Sequence, residues 1–220
     1  MSLATSTVPR QWKEAKIRPL PKVPALKLQA DYHPISYHTS YVQTDAANRH
    51  TVVRTVLYPT FFDPSPTLVF SDQIDCRPPG STSAAIISLL RTVINLLQFS
   101  PFVVISLDFS KAFDTIRHST LLSKLAELNL PTPVYNWLVE FFSGHLHHIV
   151  FSGDVSRTRS ITASIIQGSS IGPAAYTVTA GDLRPLNHDN IFIKFADDTY
   201  LVISASNIST GAAEIDNIAA

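Results

Sequence analysis

Cysteine is nearly absent from this chain of 220 residues. The single copy, Cys76, excludes an internal disulfide framework and any zinc site built on cysteines. Charge is scarce as well. Asp, Glu, Lys and Arg make up 15% of the chain against 45% hydrophobic residues, a balance that argues for a folded protein rather than a disordered one. No apolar run approaches the roughly 18–20 residues that a membrane-spanning helix needs. The opening stretch MSLATSTVPRQWKEAK has no apolar centre and does not read as a secretory signal. No internal repeat occurs. Net charge is zero, yet residues 1–60 carry eight Lys/Arg against three Asp/Glu, and residues 61–220 carry nine against fourteen. A basic N-terminal part can meet phosphates and an acidic remainder can bind metal, although such unevenness is also common on a solvated surface.

Proline is plentiful near the start. Residues 17–34, IRPLPKVPALKLQADYHP, are spaced by it and predict extended, non-helical chain. Residues 37–51 are polar without a period and read as loop or frayed helix. Val52–Tyr58 fits helix or strand. The first firm helix follows Gly80, capped by Ser81 or Thr82, with Ala85, Ile86, Leu89, Leu90, Val93, Ile94 and Leu97 as its apolar positions. FVVISLD is then a continuous apolar run ending in Asp108, the pattern of a buried strand. STLLSKLAELNL and TPVYNWLVEFFSG predict two amphipathic helices. The second takes Thr132 as N-cap, Pro133 at the first helical position and Gly144 at its C-terminal end. HIVFSGDVSRTRSI predicts a hairpin turning at Ser152-Gly153-Asp154. GPAAYTVTAGDL predicts a helix, IFIKFADDTYLVI a second hairpin, and STGAAEIDNIAA a short final helix. Mixed helices and strands of this order imply an α+β or α/β fold.

Three acids stand out. Asp108 ends a predicted strand, and Asp197 and Asp198 occupy the tip of a predicted hairpin. Adjacent carboxylates repel, and the pair is a poor choice for a tight turn. If the three converge, they form an all-oxygen site for Mg²⁺ or Mn²⁺. Two such ions about 3.5–4 Å apart would clamp the attacking and leaving oxygens of a phosphoryl displacement. Acids at strand ends and loop tips are otherwise ordinary solvated residues, and the residues alone leave both readings open. Lys111 and Lys194 lie near the acids in sequence, and solvated lysine is the default for both. His145, His147 and His148 lack the spacing of a zinc site and read as structural or surface residues.

A family resemblance adds to this. FADD on a hairpin, preceded by LDFSKAFDTIRHSTLLSKL (Leu107–Leu125) and IIQGSSIGPAAYTV (Ile165–Val178), resembles the reverse transcriptases of non-LTR (LINE-type) retrotransposons. WKEAKIRPLPKVP (Trp12–Pro24), DYHPIS (Asp31–Ser36) and SDQIDCRPPGSTSAAI (Ser71–Ile86) resemble the same family's fingers motifs, in the same order. The resemblance runs from about residue 12 to the C-terminus. It implies an α+β right-hand polymerase fold, with fingers over about 12–100 and 143–170 and palm over about 101–142 and 171–220; the thumb that follows in the family is expected to be missing from this chain. It implies template-directed addition of deoxynucleotides to a primer 3′-OH, with an RNA template, a DNA primer, dNTPs and two Mg²⁺ or Mn²⁺ ions. Asp108 and Asp197 match the principal metal ligands, Asp198 completes the acidic cluster, and Phe109 matches a residue whose backbone carbonyl can reach a metal. Phe113 matches the aromatic steric gate against a ribose 2′-OH. Gln167 and Gly168 match the nucleotide pocket, and Lys22 and Arg77 match basic residues near the triphosphate and template.

The pattern also departs from the family. His33 stands where relatives have an arginine expected to help hold the triphosphate, and histidine cannot make its bidentate fork. Cys76 replaces a phenylalanine. Residues 38–51 lack the apolar face of the family's helix there. With only Thr199–Ala220 after the aspartate hairpin, the expectation is weak grip on a duplex and little processive synthesis, since phosphate neutralisation supplies most of that affinity. Two other readings stay open. One is an inactive remnant that persists as a binding or structural domain. The other is a metal-dependent nuclease that uses the same carboxylates.

Overall fold

The computed structural model describes residues 5–25, 28, 31–37, 53–60, 67–75, 80–98, 101–109, 111–165 and 171–219, the side chains of residues 33, 34, 36 and 37 excepted. The predicted loop over 37–51 lies almost wholly outside the described residues. So do Cys76 and the side chain of His33.

Of the proline-spaced stretch, residues 17–21 and 32–34 are extended, as expected, and they pair, whereas residues 22–25 bend. β1 (Glu14–Pro21) runs antiparallel to β2 (Tyr32–Tyr37). Pro19 lies opposite Pro34 in that ladder, so two missing donors share one rung, and the third, that of Pro21 opposite Tyr32, falls at the end of the strand. On its other side β1 runs parallel to β4 (His145–Phe151). β4 turns through Ser152 and Gly153 into β5 (Asp154–Val155). Both turn residues have positive φ, +51° and +91°, as a type I′ hairpin requires. β6 (Arg159–Ile161) pairs with the other end of β4. A π-helical turn at Val53–Leu57 runs into Tyr58–Thr60 and buries Val53 and Leu57.

A second, antiparallel sheet has the order β3–β8–β7, from β3 (Phe102–Leu107), β7 (Ile191–Phe195) and β8 (Asp198–Ser204). β3 was expected to be buried and is not. None of its residues is fully buried, and Val103 and Val104 are each 39% exposed. Among the described residues its only strand partner is β8. An apolar run therefore identified the strand but not its edge position.

Helix α1 (Thr82–Leu97) begins as predicted: Ser81 Oγ accepts from the Ala84 N–H at 3.1 Å. Its expected apolar face divides. Ala85, Leu89 and Val93 turn inward to half-burial, whereas Ile86, Leu90, Ile94 and Leu97 are each more than half exposed. Helices α2 (Ala112–Thr115), α3 (His118–Ala126), α4 (Thr132–Phe142) and α5 (Gly172–Thr179) build the main core. Leu121, Leu125, Trp137, Leu138, Phe141, Ala174 and Val178 meet there, with Trp137 stacked on Phe141 at 5.3 Å. Thr132 does not cap α4. Pro131 holds the flanking position with no side-chain bond, because proline there already fixes the entry φ. Gly144, at φ +67°, takes the left-handed turn just past the helix. His145 is fully buried with its ring edge-on to Phe141.

The chain ends in α6 (Gly211–Ala219). Its Glu214 is fully buried and accepts from Leu186 N, Asn187 N and Asn190 Nδ2 at 2.8–2.9 Å. It thereby fixes the loop that feeds β7. Among the described residues no helix is long and apolar enough to cross a membrane.

Candidate active site

Asp108 is the first residue past β3. The β3–β8 ladder pairs Leu107 with Thr199, so one further step of the register sets Asp108 opposite Asp198. The β7–β8 ladder closes on the pair Phe195–Asp198, which leaves Ala196 and Asp197 as a two-residue turn. The two acids therefore do not share the tip: Asp197 sits in the turn and Asp198 opens β8. The positive φ that a tight hairpin needs falls on Ala196, at +51°. A residue with a Cβ pays roughly 1–2 kcal/mol for that conformation. Such strain persists only where the surroundings hold it, and it gathers at functional sites.

Asp108 and Asp198 are exposed and Asp197 is half-buried. None of the three has an ion-pair partner among the described residues. The residue that registers their charge is Tyr176 on α5, which the sequence reading passed over. It is 6% exposed, and its phenol is pushed up to about 12, first by burial and then by the negative charges of Asp197 and Asp198. Its ring stacks on Phe113, with centroids 4.8 Å apart and planes 29° from parallel. Phe113, Tyr176 and the aspartate turn are thus drawn into one neighbourhood. The available signal was a lone phenol in the otherwise small and apolar helix GPAAYTV, just after the Gln167-Gly168 pair.

Phe113 also anchors the chain that leads to that pair: Ile165 N donates to Phe113 O at 2.8 Å. Gln167 and Gly168 themselves lie outside the described residues, as does Arg77. Lys22 is exposed just after β1, and its backbone N–H donates to Asp31 O at 2.7 Å. Phe109 is half-buried and lines, with Tyr176, Ile116 and Leu183, a cavity of about 430 Å³. Lys111 is exposed at the left-handed start of α2.

Lys194 overturns an expectation. Assigned to solvent by default, it is 1% exposed and its ammonium lies 2.9 Å from Asp72. Burial lowers its pKa, and the Asp72 carboxylate opposes that shift. β7 is covered on both faces, so an inward lysine there requires a buried partner.

The donor chemistry around Asp108, Asp197 and Asp198 suits a hard divalent cation, since all three offer carboxylate oxygens with no ion-paired basic side chain among the described residues. Among the described residues no three His, Cys, Asp or Glu side chains are placed to hold one ion together. The site is therefore not a closed protein cage. Mg²⁺ does not require one, because it is ordinarily held by one or two carboxylates plus water and substrate phosphates.

Comparison with known proteins bears on the family and the fold. The family model described as reverse transcriptase (RNA-dependent DNA polymerase) matches residues 29–216. The RNA-directed DNA polymerase from mobile element jockey of Drosophila melanogaster is 31% identical over 109 residues, which is 46% of this chain and 12% of that protein. The probable RNA-directed DNA polymerase from transposon X-element of the same species is 30% identical over 96 residues, 42% of this chain and 10% of that protein. These matches bear out the resemblance to non-LTR retrotransposon enzymes, and they span only about a tenth of the relatives' length. Among solved structures, apo telomerase from Candida tropicalis, truncated from the C-terminal domain, superposes with a TM-score of 0.67 at 14% identity, over 96% of this chain and 47% of that one. Telomerase from Candida albicans with a TWJ fragment of telomeric RNA gives 0.61 at 12% identity, over 99% of this chain and 41% of that one. At such identities the likeness concerns the fold alone, and it bears out an α+β polymerase architecture of fingers and palm. The chain belongs to the reverse transcriptase family.

Proposed function

We propose that this chain contributes the fingers and palm of an RNA-directed DNA polymerase of a non-LTR retrotransposon, which adds deoxynucleotides to a primer 3′-OH on an RNA template. The observation that carries the reading is the register that sets Asp108 beside Asp198, one residue from Asp197. Fingers are assigned to about 12–100 and 143–170, and palm to about 101–142 and 171–220.

In this reading Asp108, Asp197 and Asp198 hold two Mg²⁺ or Mn²⁺ ions, with the Phe109 carbonyl as a further oxygen. Divalent ions bound there supply charge neutralisation at the phosphates and favour ionisation of the primer hydroxyl. The strained turn at Ala196 fixes the direction of Asp197 before substrate arrives, so no reorganisation is needed at the moment of reaction. Phe113, stiffened by the Tyr176 ring behind it, presents an aromatic wall that excludes a 2′-OH. Tyr176 stays protonated at neutral pH and so adds no third negative charge beside the acid pair. Gln167 and Gly168 line the nucleotide pocket, and the cations of Lys22 and Arg77 steady the triphosphate and template. The A-form RNA–DNA hybrid is gripped through backbone and shape.

The test is primer extension on an RNA template with dNTPs and Mg²⁺ or Mn²⁺, comparing wild type with Asp197→Asn. Extension by wild type that Asp197→Asn reduces at least about a hundred-fold supports the reading, a loss of the size seen when a transition-state contact is removed. Equal behaviour of the two proteins removes it. The alternative is a non-catalytic binding domain. It predicts hybrid binding without extension.

A further inference from the structure

The Lys194 ammonium spends all three of its hydrogens inside the protein. It pairs with Asp72 Oδ2 at 2.9 Å and donates to Leu183 O at 2.7 Å and Ala180 O at 3.1 Å. The backbone is tied at the same place. Lys194 N donates to Asp72 O at 2.9 Å and Ile74 N donates to Lys194 O at 2.8 Å, which makes a one-residue parallel bridge between Gln73 and Lys194. Ala180 and Leu183 belong to the turn that leaves α5, the helix of Tyr176. That turn is itself bound to the segment before Asp72, through Val69 N to Gly181 O at 2.7 Å.

One cation thus joins three separate stretches: the strand that leads into the aspartate turn, the end of the helix that carries Tyr176, and the chain over 68–75. A buried ion pair is a poor way to gain stability, since apolar residues of similar volume commonly do as well or better. Its merit lies in direction. An ammonium with three fixed acceptors sets how β7 sits against the end of α5, whereas an apolar side chain in the same space can slide.

We propose that Lys194, with Asp72, is a positioning residue that sets the aspartate turn against the Tyr176–Phe113 wall. The inference builds on the polymerase reading for its consequence in activity, but not for its geometry.

The test uses the full chain and two variants. Lys194→Met leaves the half-buried Asp72 without its ammonium partner, and Asp72→Leu/Lys194→Met removes both charges. The positioning role predicts that the double variant regains the wild-type unfolding midpoint. Its β7–β8 amides nonetheless exchange with solvent about ten-fold faster, while the α3–α4 core is unchanged, because local opening is separable from global stability. Mn²⁺ affinity and primer extension fall by about 10–100-fold in both variants, as for other residues that orient metal ligands. A double variant with wild-type hairpin exchange overturns the proposal. So does one that fails to fold, since the pair would then be a stability element. A wild type that neither binds Mn²⁺ nor extends primers sinks the polymerase reading and leaves the exchange result to decide the positioning role.

Discussion

The phenol of Tyr176 offers the most direct physical test of the site, because it senses the aspartates without any ligand. Its pKa is raised from 10.0 to about 12, by burial first and by Asp197 and Asp198 second. At 6% exposure the side chain is little screened by solvent. A group whose folded pKa lies above its unfolded value stabilises fully below the unfolded pKa, and loses that contribution as pH rises through the folded one. The window is therefore pH 10 to 12. A rise from 10.0 to about 12 corresponds to about 2.7 kcal/mol. Denaturant unfolding across that window should show wild type losing about 2–3 kcal/mol more stability than Tyr176→Phe. Lys194 titrates in both proteins and drops out of the difference. Phenolate absorbance supplies a second readout: one late-ionising tyrosine in wild type, missing in Tyr176→Phe and moved downward in Asp197→Asn/Asp198→Asn. Parallel stability curves for wild type and Tyr176→Phe between pH 10 and 12 would refute the placement of this ring beside the acid pair.

Two further outcomes follow from packing around the same site. Glu214→Ala strips three donors of their shared acceptor in a fully buried position. It should cost about 3 kcal/mol in urea unfolding and loosen the loop that enters β7. A Cβ at Gly181 would lie 2.8 Å from Phe70 Cε1 and 3.4 Å from Leu68 Cβ. Gly181→Ala should therefore lower stability by about 1–3 kcal/mol, and Phe70→Leu in that background should restore part of the melting temperature.

Local chemistry made much of this fold readable. Ser81 and the apolar period announce α1, the Ser152-Gly153 pair announces its hairpin, and adjacent aspartates between two apolar runs mark the β7–β8 turn. What was not readable depends on distant partners. The period of α1 gives a stripe of apolar residues but not which half of it meets β7. The run FVVISL signals a strand, yet burial is decided by whether a neighbour covers both faces and the outer edge. Lys194 is indistinguishable from a surface lysine until Asp72, far away in sequence, is brought to 2.9 Å. Tyr176 gains significance only when α5 packs its ring on Phe113. The position of the turn, one residue earlier than expected, is set by the register of the β7–β8 ladder, which imposes on Ala196 a strained φ that no propensity scale would choose.

The uncovered edge of β3 carries a consequence for how the molecule behaves in bulk. FVVISL is uncharged, lacks proline and glycine and is rich in β-branched residues, the composition of segments that stack into cross-β assemblies. Val103 and Val104 stand exposed on it, beside backbone groups with no second strand among the described residues. The strand that delivers Asp108 to the site is thus also the chain's colloidal weak point. Natural proteins guard such edges with a lysine or a proline. Here Pro101 and Asp108 flank the run but nothing interrupts it, and solubility becomes a matter of concentration and of whatever the edge meets first.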